Sequence, residues 1–217
     1  ESESKNPSEA KVSTSLDAHI EETGKADKMK IPSEMPVLPV RDTVVFPSMV
    51  AALSVSTERD LKLLNHVLAG NRFLALVAQK DKEVKVVKQS DLYNYATAAV
   101  VLQMLRMPDN SAKMLVQGIR RIRIDEYTQT EPYFKAKVTA LEDTIQNDME
   151  TEALSRNAAD QFIRMVSMAP SLPEELKIAI VNIDSPSRLA DMIASHLNVS
   201  IAEKQQVLES LILNGKS

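Results

Sequence analysis

Residues 35–50 read Met35-Pro-Val-Leu-Pro-Val-Arg-Asp-Thr-Val-Val-Phe-Pro-Ser-Met-Val50, a mostly apolar stretch with three prolines and one Arg-Asp pair. Proline has no backbone N–H to donate to a neighbouring strand. Pro36, Pro39 and Pro47 therefore limit this stretch to short extended pieces, joined by bends, at an edge or corner of a sheet. The apolar side chains between the prolines still require burial. The stretch predicts a proline-interrupted strand at the start of a β-rich core.

The segment after this stretch combines β and α patterns. Residues 51–56 alternate as a strand does, and Thr57, with an acidic residue three positions later, is typical of a helix N-terminus. We expect Gly70 to end that helix in the left-handed conformation and residues 73–78 to form a strand buried on both faces. Residues 80–90 fit either a charged loop or a short exposed strand.

A long β-hairpin is predicted next. Residues 96–107 and 113–117 have strand-like composition, and the polar residues 108–112 between them form a turn. Gly118 interrupts the strand pattern, as a bulge or a barrel corner does. A further strand at residues 133–141 completes the β-rich part. Together these short strands predict a small, partly closed barrel.

Beyond Glu142 the apolar period changes from two to about 3.6 residues, which predicts helices. Ser171 with Glu174, and Ser200 with Glu203, match the capping box that begins a helix. We expect a compact bundle of short helices at residues 149–169, 171–181, 184–197 and 201–213. The whole is an α+β fold with three parts: a flexible polar tail at 1–30, a β-rich subdomain at 31–142 and a helical subdomain at 143–217.

Composition and charge narrow the possible functions. The 217 residues are 44% hydrophobic, enough for one sizeable core or two small ones. The chain has no cysteine, which excludes disulfides and thiolate sites. A formal net charge of -4 opposes nucleic acid as the main partner, because phosphate binding depends on a basic surface. No apolar run approaches the ~20 residues that span a bilayer, so we expect a soluble, cytoplasmic protein without a membrane partner.

Four further segments of the chain are informative together with residues 36–47. They are Leu76-Val-Ala-Gln-Lys80, Ala99-Val-Val-Leu-Gln-Met-Leu-Arg-Met-Pro-Asp109, Lys113-Met-Leu-Val-Gln-Gly-Ile-Arg-Arg121 and Ile183-Asp-Ser-Pro-Ser-Arg-Leu-Ala-Asp191. In this order the segments resemble the amino-terminal region of the bacterial ATP-dependent Lon protease family. The first residue is not Met, and residues 211–217 do not continue as the long helix that leads to the family's ATPase. We therefore expect a truncated piece of a longer protein.

This resemblance implies a PUA-like β-barrel followed by a helical subdomain. In the family, this region helps to bind protein substrates and to assemble the hexamer, while ATP, Mg²⁺ and the Ser-Lys peptidase belong to later domains. We expect a non-catalytic domain whose partners are unfolded or damaged proteins and, in the full-length homohexamer, further copies of itself. The alternative function is a stand-alone PUA-like module that binds RNA or a small ligand.

The sequence contains no recognisable catalytic or cofactor motif. Gly215-Lys216-Ser217 matches only the end of a phosphate-binding loop, because Ser210 stands where the first glycine is required. His66 and His196 have no second histidine at metal-ligand spacing and are better explained as core-edge or solvated residues. No serine lies in a nucleophile motif. We expect this chain to have no catalytic residues, no cofactor of its own and no metal site.

Arg120, Arg121 and Arg123 lie on one predicted strand and have two interpretations. As outward-facing residues they form a solvated surface paired with acids such as Asp125 and Glu126. Alternatively, they form a strip that binds nucleic acid, since PUA-like barrels in other families bind RNA. The chain has four tyrosines, four phenylalanines and no tryptophan, which leaves little for base stacking. We favour the solvated surface.

The candidate binding surface lies at the hairpin, where Met104, Met107 and Met114 cluster. Flexible methionine side chains suit surfaces that accept many apolar sequences, although strand alternation also fits a role in the core. Neighbouring strand residues face opposite sides, so at least one large apolar residue near the hairpin end is expected to be exposed. We predict an apolar edge that contacts unfolded polypeptide, made by Phe46, Met49, Leu105 and Met107.

Overall fold

The computed structural model describes residues 29–142 and 148–213, so nearly all of the expected tail lies outside the described residues. The strands are β1 (Glu34–Val40), β2 (Val50–Val55), β3 (Phe73–Ala78), β4 (Tyr95–Arg106), β5 (Ala112–Gln129) and β6 (Lys135–Ala140). The helices are α1 (Glu58–Ala69), α2 (Met149–Met168), α3 (Glu175–Val181), α4 (Pro186–His196) and α5 (Ile201–Leu213). The predicted α+β class is confirmed.

The six strands pair into one mixed sheet in the order β2-β5-β4-β3-β1-β6. β5 also pairs with β6. Each of the strands β5, β4, β3, β1 and β6 therefore pairs with the next, and the last pairs with the first, so the pairings form a ring. This ring of pairings is compatible with the predicted barrel, whose PUA-like character stays a prediction. Residues 80–90 form a loop that ends in a 3₁₀ helix, Gln89–Asp91, and not an additional strand.

β1 accommodates its prolines by changing partners half-way along. Glu34–Pro36 pairs with β6, and Val37–Val40 pairs with β3. Each half of the strand therefore has an open side, where a proline loses no ladder hydrogen bond. Of the two predicted positions, the edge is wrong for the strand as a whole, which lies between two neighbours, and the change of partner after Pro36 is compatible with a corner. Val44 and Val45 are buried, as expected.

β4 and β5 form the predicted hairpin, and Gly118 lies at a β-bulge, also as predicted. Ala99 is opposite Gly118 while Ala98 is opposite Arg120, so Ile119 is the extra residue of the bulge. The bulge changes the pairing register between the outer part of the hairpin and the part that belongs to the ring of strands.

Gly118 also permits a close approach between two backbone segments. A Cβ atom at this position would lie 2.2 Å from the carbonyl oxygen of Phe46. The backbone N–H of Ser48 donates to the Gly118 carbonyl at 2.9 Å, and the Gly118 N–H donates to the Met49 carbonyl at 2.8 Å. The end of the proline-rich stretch is therefore fixed against the bulge.

Two helix starts confirm the capping predictions. At α1, the Thr57 hydroxyl accepts a hydrogen bond from the backbone N–H of Asp60 at 3.1 Å. At α5, the Glu203 carboxylate accepts from the Ser200 N–H at 2.8 Å, and the Ser200 hydroxyl accepts from the Glu203 N–H at 3.2 Å. The second arrangement is a complete capping box.

Two other predicted helix ends are wrong. α3 begins at Glu175 without a side-chain cap, because Ser171 lies in the turn that precedes the helix. Gly70 has a φ of -108°, and the left-handed residue is Arg72, with a φ of 64°. The Val67 carbonyl accepts from the N–H groups of both residues, so the helix ends through a turn that continues past the glycine.

The last two helices pack against the sheet. Ala194 of α4 and Leu208 of α5 share a core cluster with Phe46. A separate cluster around Phe162 joins α2, α3 and α4. The predicted boundary at residues 142–148 falls mainly on residues 143–147, which are outside the described ranges. The division into two subdomains therefore stays a prediction.

Candidate functional site

The four residues predicted to form an apolar edge do not share one surface. Phe46 is 0% exposed because α4 and α5 pack over it, so its predicted exposure is wrong. Met49 is half-buried and packs against two core clusters. Met107 is half-buried at the end of the hairpin, and only Leu105, which is 64% exposed, is open to solvent. The binding role of these residues stays a prediction, centred now on Leu105.

Strand register places Leu105 on a surface that combines three strands. Leu105 is opposite Lys113 on β5, and Lys113 is opposite Ser54 on β2. Residues two positions further along each strand share the same face. We call this set the outer hairpin face: Ala52, Ser54, Gln103, Leu105, Lys113 and Leu115. Leu115 is half-buried and the other five residues are exposed.

The opposite face of the hairpin belongs to the core. Met114 is 2% exposed, and Met104 packs against the largest core cluster. Two of the three hairpin methionines therefore have the core role that alternation allowed. The predicted exposure of a large apolar residue near the hairpin end is confirmed by Leu105. Leu115 was missed, although alternation in residues 113–117 could have indicated it.

A groove of about 830 Å³ runs along β2. Residues 52–57 form one side of the groove. Residues 38–43, at the end of β1 and just after it, form a second side, and loop residues 84–87 form the third. Burial raises the pKa of the Asp60 carboxyl, at the α1 end of the groove, above its usual value. The groove is lined by charged residues of both signs: Arg41, Arg59, Lys85, Asp42 and Asp60.

The three arginines of β5 occupy different environments. Arg123 is exposed and donates to the Asp125 carboxylate at 2.8 Å, as predicted. Arg120 is half-buried. Arg121 is 1% exposed, and its predicted solvated position is wrong because α4 and α5 cover it and Asp191 pairs with its guanidinium. The three side chains therefore do not form one exposed basic strip.

The two histidines fit the two alternatives predicted for them, since His66 is exposed and His196 is half-buried. The His66 ring lies 5.6 Å from the Tyr133 ring, and His196 Nδ1 lies 2.8 Å from the Met192 carbonyl oxygen. Within residues 29–142 and 148–213, no group of three or more His, Cys, Asp or Glu side chains is arranged to hold a metal ion. Over the same ranges, none of the helices has the length and apolar character needed to cross a membrane.

Comparison with known protein families identifies the domain. A family model described as the "ATP-dependent protease La (LON) substrate-binding domain" matches residues 34–214. The chain belongs to this family. The Lon protease of Dictyoglomus thermophilum is 41% identical over 181 residues, and that of Escherichia coli K12 is 38% identical over 181 residues. Each alignment covers 83% of this chain and 23% of the relative, so the chain spans about a quarter of the Lon proteases that it matches.

Two solved Lon amino-terminal domains have a similar fold. The N-terminal domain of the Mycobacterium avium complex Lon protease aligns with a TM-score of 0.62 and 21% identity, over 82% of this chain and 97% of that domain. The Xanthomonas campestris domain aligns with a TM-score of 0.58 and 14% identity, over 82% and 90%. The Lon resemblance predicted from five sequence segments is thus confirmed.

Proposed function

We propose that this Lon-family chain is a non-catalytic substrate-recognition domain that binds unfolded or damaged polypeptide for an ATP-dependent protease. The family match over residues 34–214 carries the proposal, since the family is described as a substrate-binding domain. In this proposal the chain acts in the cytoplasm as part of a homohexamer, and ATP, Mg²⁺ and the peptidase belong to other domains. Its ring of paired strands is a PUA-like barrel.

The outer hairpin face has the properties that such binding requires. Leu105 offers an exposed large apolar side chain, Leu115 a half-buried one, and Ala52 allows close approach. An unfolded chain presents scattered apolar side chains, and a shallow surface can contact many of them. Ordering the chain opposes binding, so we expect a dissociation constant on the order of tens of micromolar for one domain. Several copies in a ring would bind more tightly through multivalency.

The RNA-binding alternative lacks comparable support. Arg121, in the middle of the basic strand, is buried and paired with Asp191. The formal net charge of -4 also opposes a phosphate-driven interaction. Protein substrates are therefore the partners that we propose.

Replacing Leu105 with serine is expected to weaken binding of an unfolded polypeptide about tenfold, since burying a leucine side chain contributes about 1.5 kcal/mol. The probe is reduced, carboxyamidomethylated lysozyme, which stays unfolded and gains no charge from the modification. Binding is followed by NMR shift changes in the labelled chain. Because Leu105 is 64% exposed, its replacement should leave the unfolding curve nearly unchanged.

Leu154 offers a matched control for this experiment. It is 62% exposed but lies on α2 and not on the three strands of the outer hairpin face, so Leu154→Ser should bind the unfolded lysozyme as the parent chain does. Equal weakening in both variants would indicate non-specific apolar contact. Undiminished binding by Leu105→Ser would remove the outer hairpin face from the proposal.

The purified chain is expected to hydrolyse neither ATP nor peptides. The reason is that the sequence lacks a complete phosphate-binding loop and a nucleophile motif, with Ser210 in place of the required first glycine. Phosphate release and cleavage of unfolded lysozyme are the measurements. Nucleotide-specific phosphate release that copurifies with the chain through successive columns would contradict this expectation.

A further inference from the structure

β2 is the end strand of the sheet in its pairing order. It pairs with β5 on one side, and no other strand of the described residues pairs with it. Proteins commonly protect such edges with proline, charged side chains or bulges, because an open edge is a template for another strand. Val50–Val55 contains neither proline nor a charged residue. The edge can therefore accept an incoming strand.

The pairing with β5 determines which backbone groups this edge presents. Met49 accepts a hydrogen bond from Gly118, so bonded and non-bonded positions alternate along β2 from that point. Ala52 and Ser54 fall at the non-bonded positions and direct their N–H and C=O groups away from β5. Both residues are small and exposed, so they do not obstruct the approach of another backbone.

The groove described above lies along this same edge. Its lining includes the buried side chains Leu38, Val40 and Val55, which offer an apolar floor. Val86, on the loop side, is 73% exposed. The volume of about 830 Å³ is within the range of ligand-binding clefts. The charged residues of the lining comprise three cations and two anions, so the groove offers partners to charged side chains of either sign.

We propose that an unfolded polypeptide binds by adding an extended strand to the open edge of β2, with alternate side chains directed into the groove. This inference rests on the proposed function and specifies its binding mode. Hydrogen bonds to the backbone do not depend on side-chain identity, so one edge can accept unrelated sequences. Folded proteins have their backbone groups already paired, so the edge also distinguishes unfolded from folded chains.

Amide hydrogen exchange tests the proposal directly on the parent chain. The N–H groups of Ala52 and Ser54 are directed away from β5 in the free chain, so we expect them to exchange quickly. Saturating unfolded lysozyme is expected to slow their exchange about tenfold or more, since each would gain a hydrogen bond. The N–H of Leu53 is directed toward β5 and should change little, which makes it an internal control.

Replacing Ala52 with proline tests the same edge through affinity. Proline removes the outward N–H and keeps the bonds to β5, and edge strands tolerate it. We expect binding of unfolded lysozyme about tenfold weaker than for the parent chain. Ala52→Ser retains the outward N–H and should therefore bind unfolded lysozyme more tightly than Ala52→Pro does. If the proline variant does not fold, the hydrogen-exchange measurement on the parent chain still tests the proposal.

The outcomes separate this inference from the proposed function. If unfolded lysozyme binds the parent chain but neither slows exchange at Ala52 and Ser54 nor responds to Ala52→Pro, strand addition is wrong and the proposed function stands. If it does not bind the parent chain at all, both are wrong. Slow exchange at these residues that appears without lysozyme and increases with chain concentration would show that a second β2 occupies the edge, which also overturns the proposal.

Discussion

Replacing Asp191 with alanine is expected to lower the free energy of unfolding by about 3–5 kcal/mol, because it leaves the buried Arg121 guanidinium without its countercharge. The two side chains are 5% and 0% exposed. Arg121 Nε also donates to the Leu208 carbonyl at 3.0 Å, so this arginine joins β5 to both α4 and α5. For a chain of this size, the melting temperature should fall by about 10 °C. Urea unfolding followed by circular dichroism measures the change.

Two further variants make this prediction specific. Arg123→Ala breaks the exposed pair with Asp125 and should cost less than about 1 kcal/mol. Arg121→Met combined with Asp191→Leu should recover much of the loss, since two apolar side chains need no countercharge. If Asp191→Ala is no more destabilising than Arg123→Ala, the buried pair does not hold the helices against the sheet.

Arg121 shows which part of the structure the sequence could not predict. Alternation correctly places it on the opposite face of β5 from Ile122, which lies in a core cluster. Alternation cannot distinguish a face covered by water from a face covered by helices. Asp191, the residue that pairs with the buried Arg121, lies 70 positions later in the chain, and no local sequence pattern links the two residues.

Features with local signals were predicted from sequence. The β4–β5 hairpin, the bulge at Gly118 and the capping box of Ser200 with Glu203 each depend on residues close together in the chain. The position of β1 was not predictable in this way. Its prolines mark the point where the strand changes partner from β6 to β3, which is a property of the sheet order and not of the stretch itself.

The same limit applies to the candidate site. Alternation along one strand was enough to predict an exposed apolar residue near the hairpin end, which is Leu105. It could not join Leu105 to Leu115 and Ala52, since that depends on the register of three strands. Nor could it reveal that α4 and α5 bury Phe46. The sequence thus predicted that the hairpin carries the candidate site, while the tertiary structure determines which of its residues are exposed together.

Replacing Gly118 with alanine is expected to lower the free energy of unfolding by about 3 kcal/mol or more. The added Cβ would lie 2.2 Å from the carbonyl oxygen of Phe46 and 3.0 Å from its carbonyl carbon. Both are backbone atoms and cannot rotate away as a side chain can. Relief requires residues 46–49 to move away from β5, which weakens the 2.9 Å hydrogen bond from Ser48 to Gly118 and displaces the fully buried Phe46 ring.

Gly70→Ala is the matched control, because it adds the same methyl group where space exists. The nearest atom to a Cβ at Gly70 is the His66 carbonyl oxygen at 3.5 Å, an ordinary contact distance, and its φ is negative. We expect the unfolding free energy of this variant to stay within about 1 kcal/mol of the parent. Urea unfolding of both variants gives the comparison. Equal stabilities would mean that residues 46–49 can leave the bulge without loss, and that Gly118 does not fix the proline-rich stretch against β5.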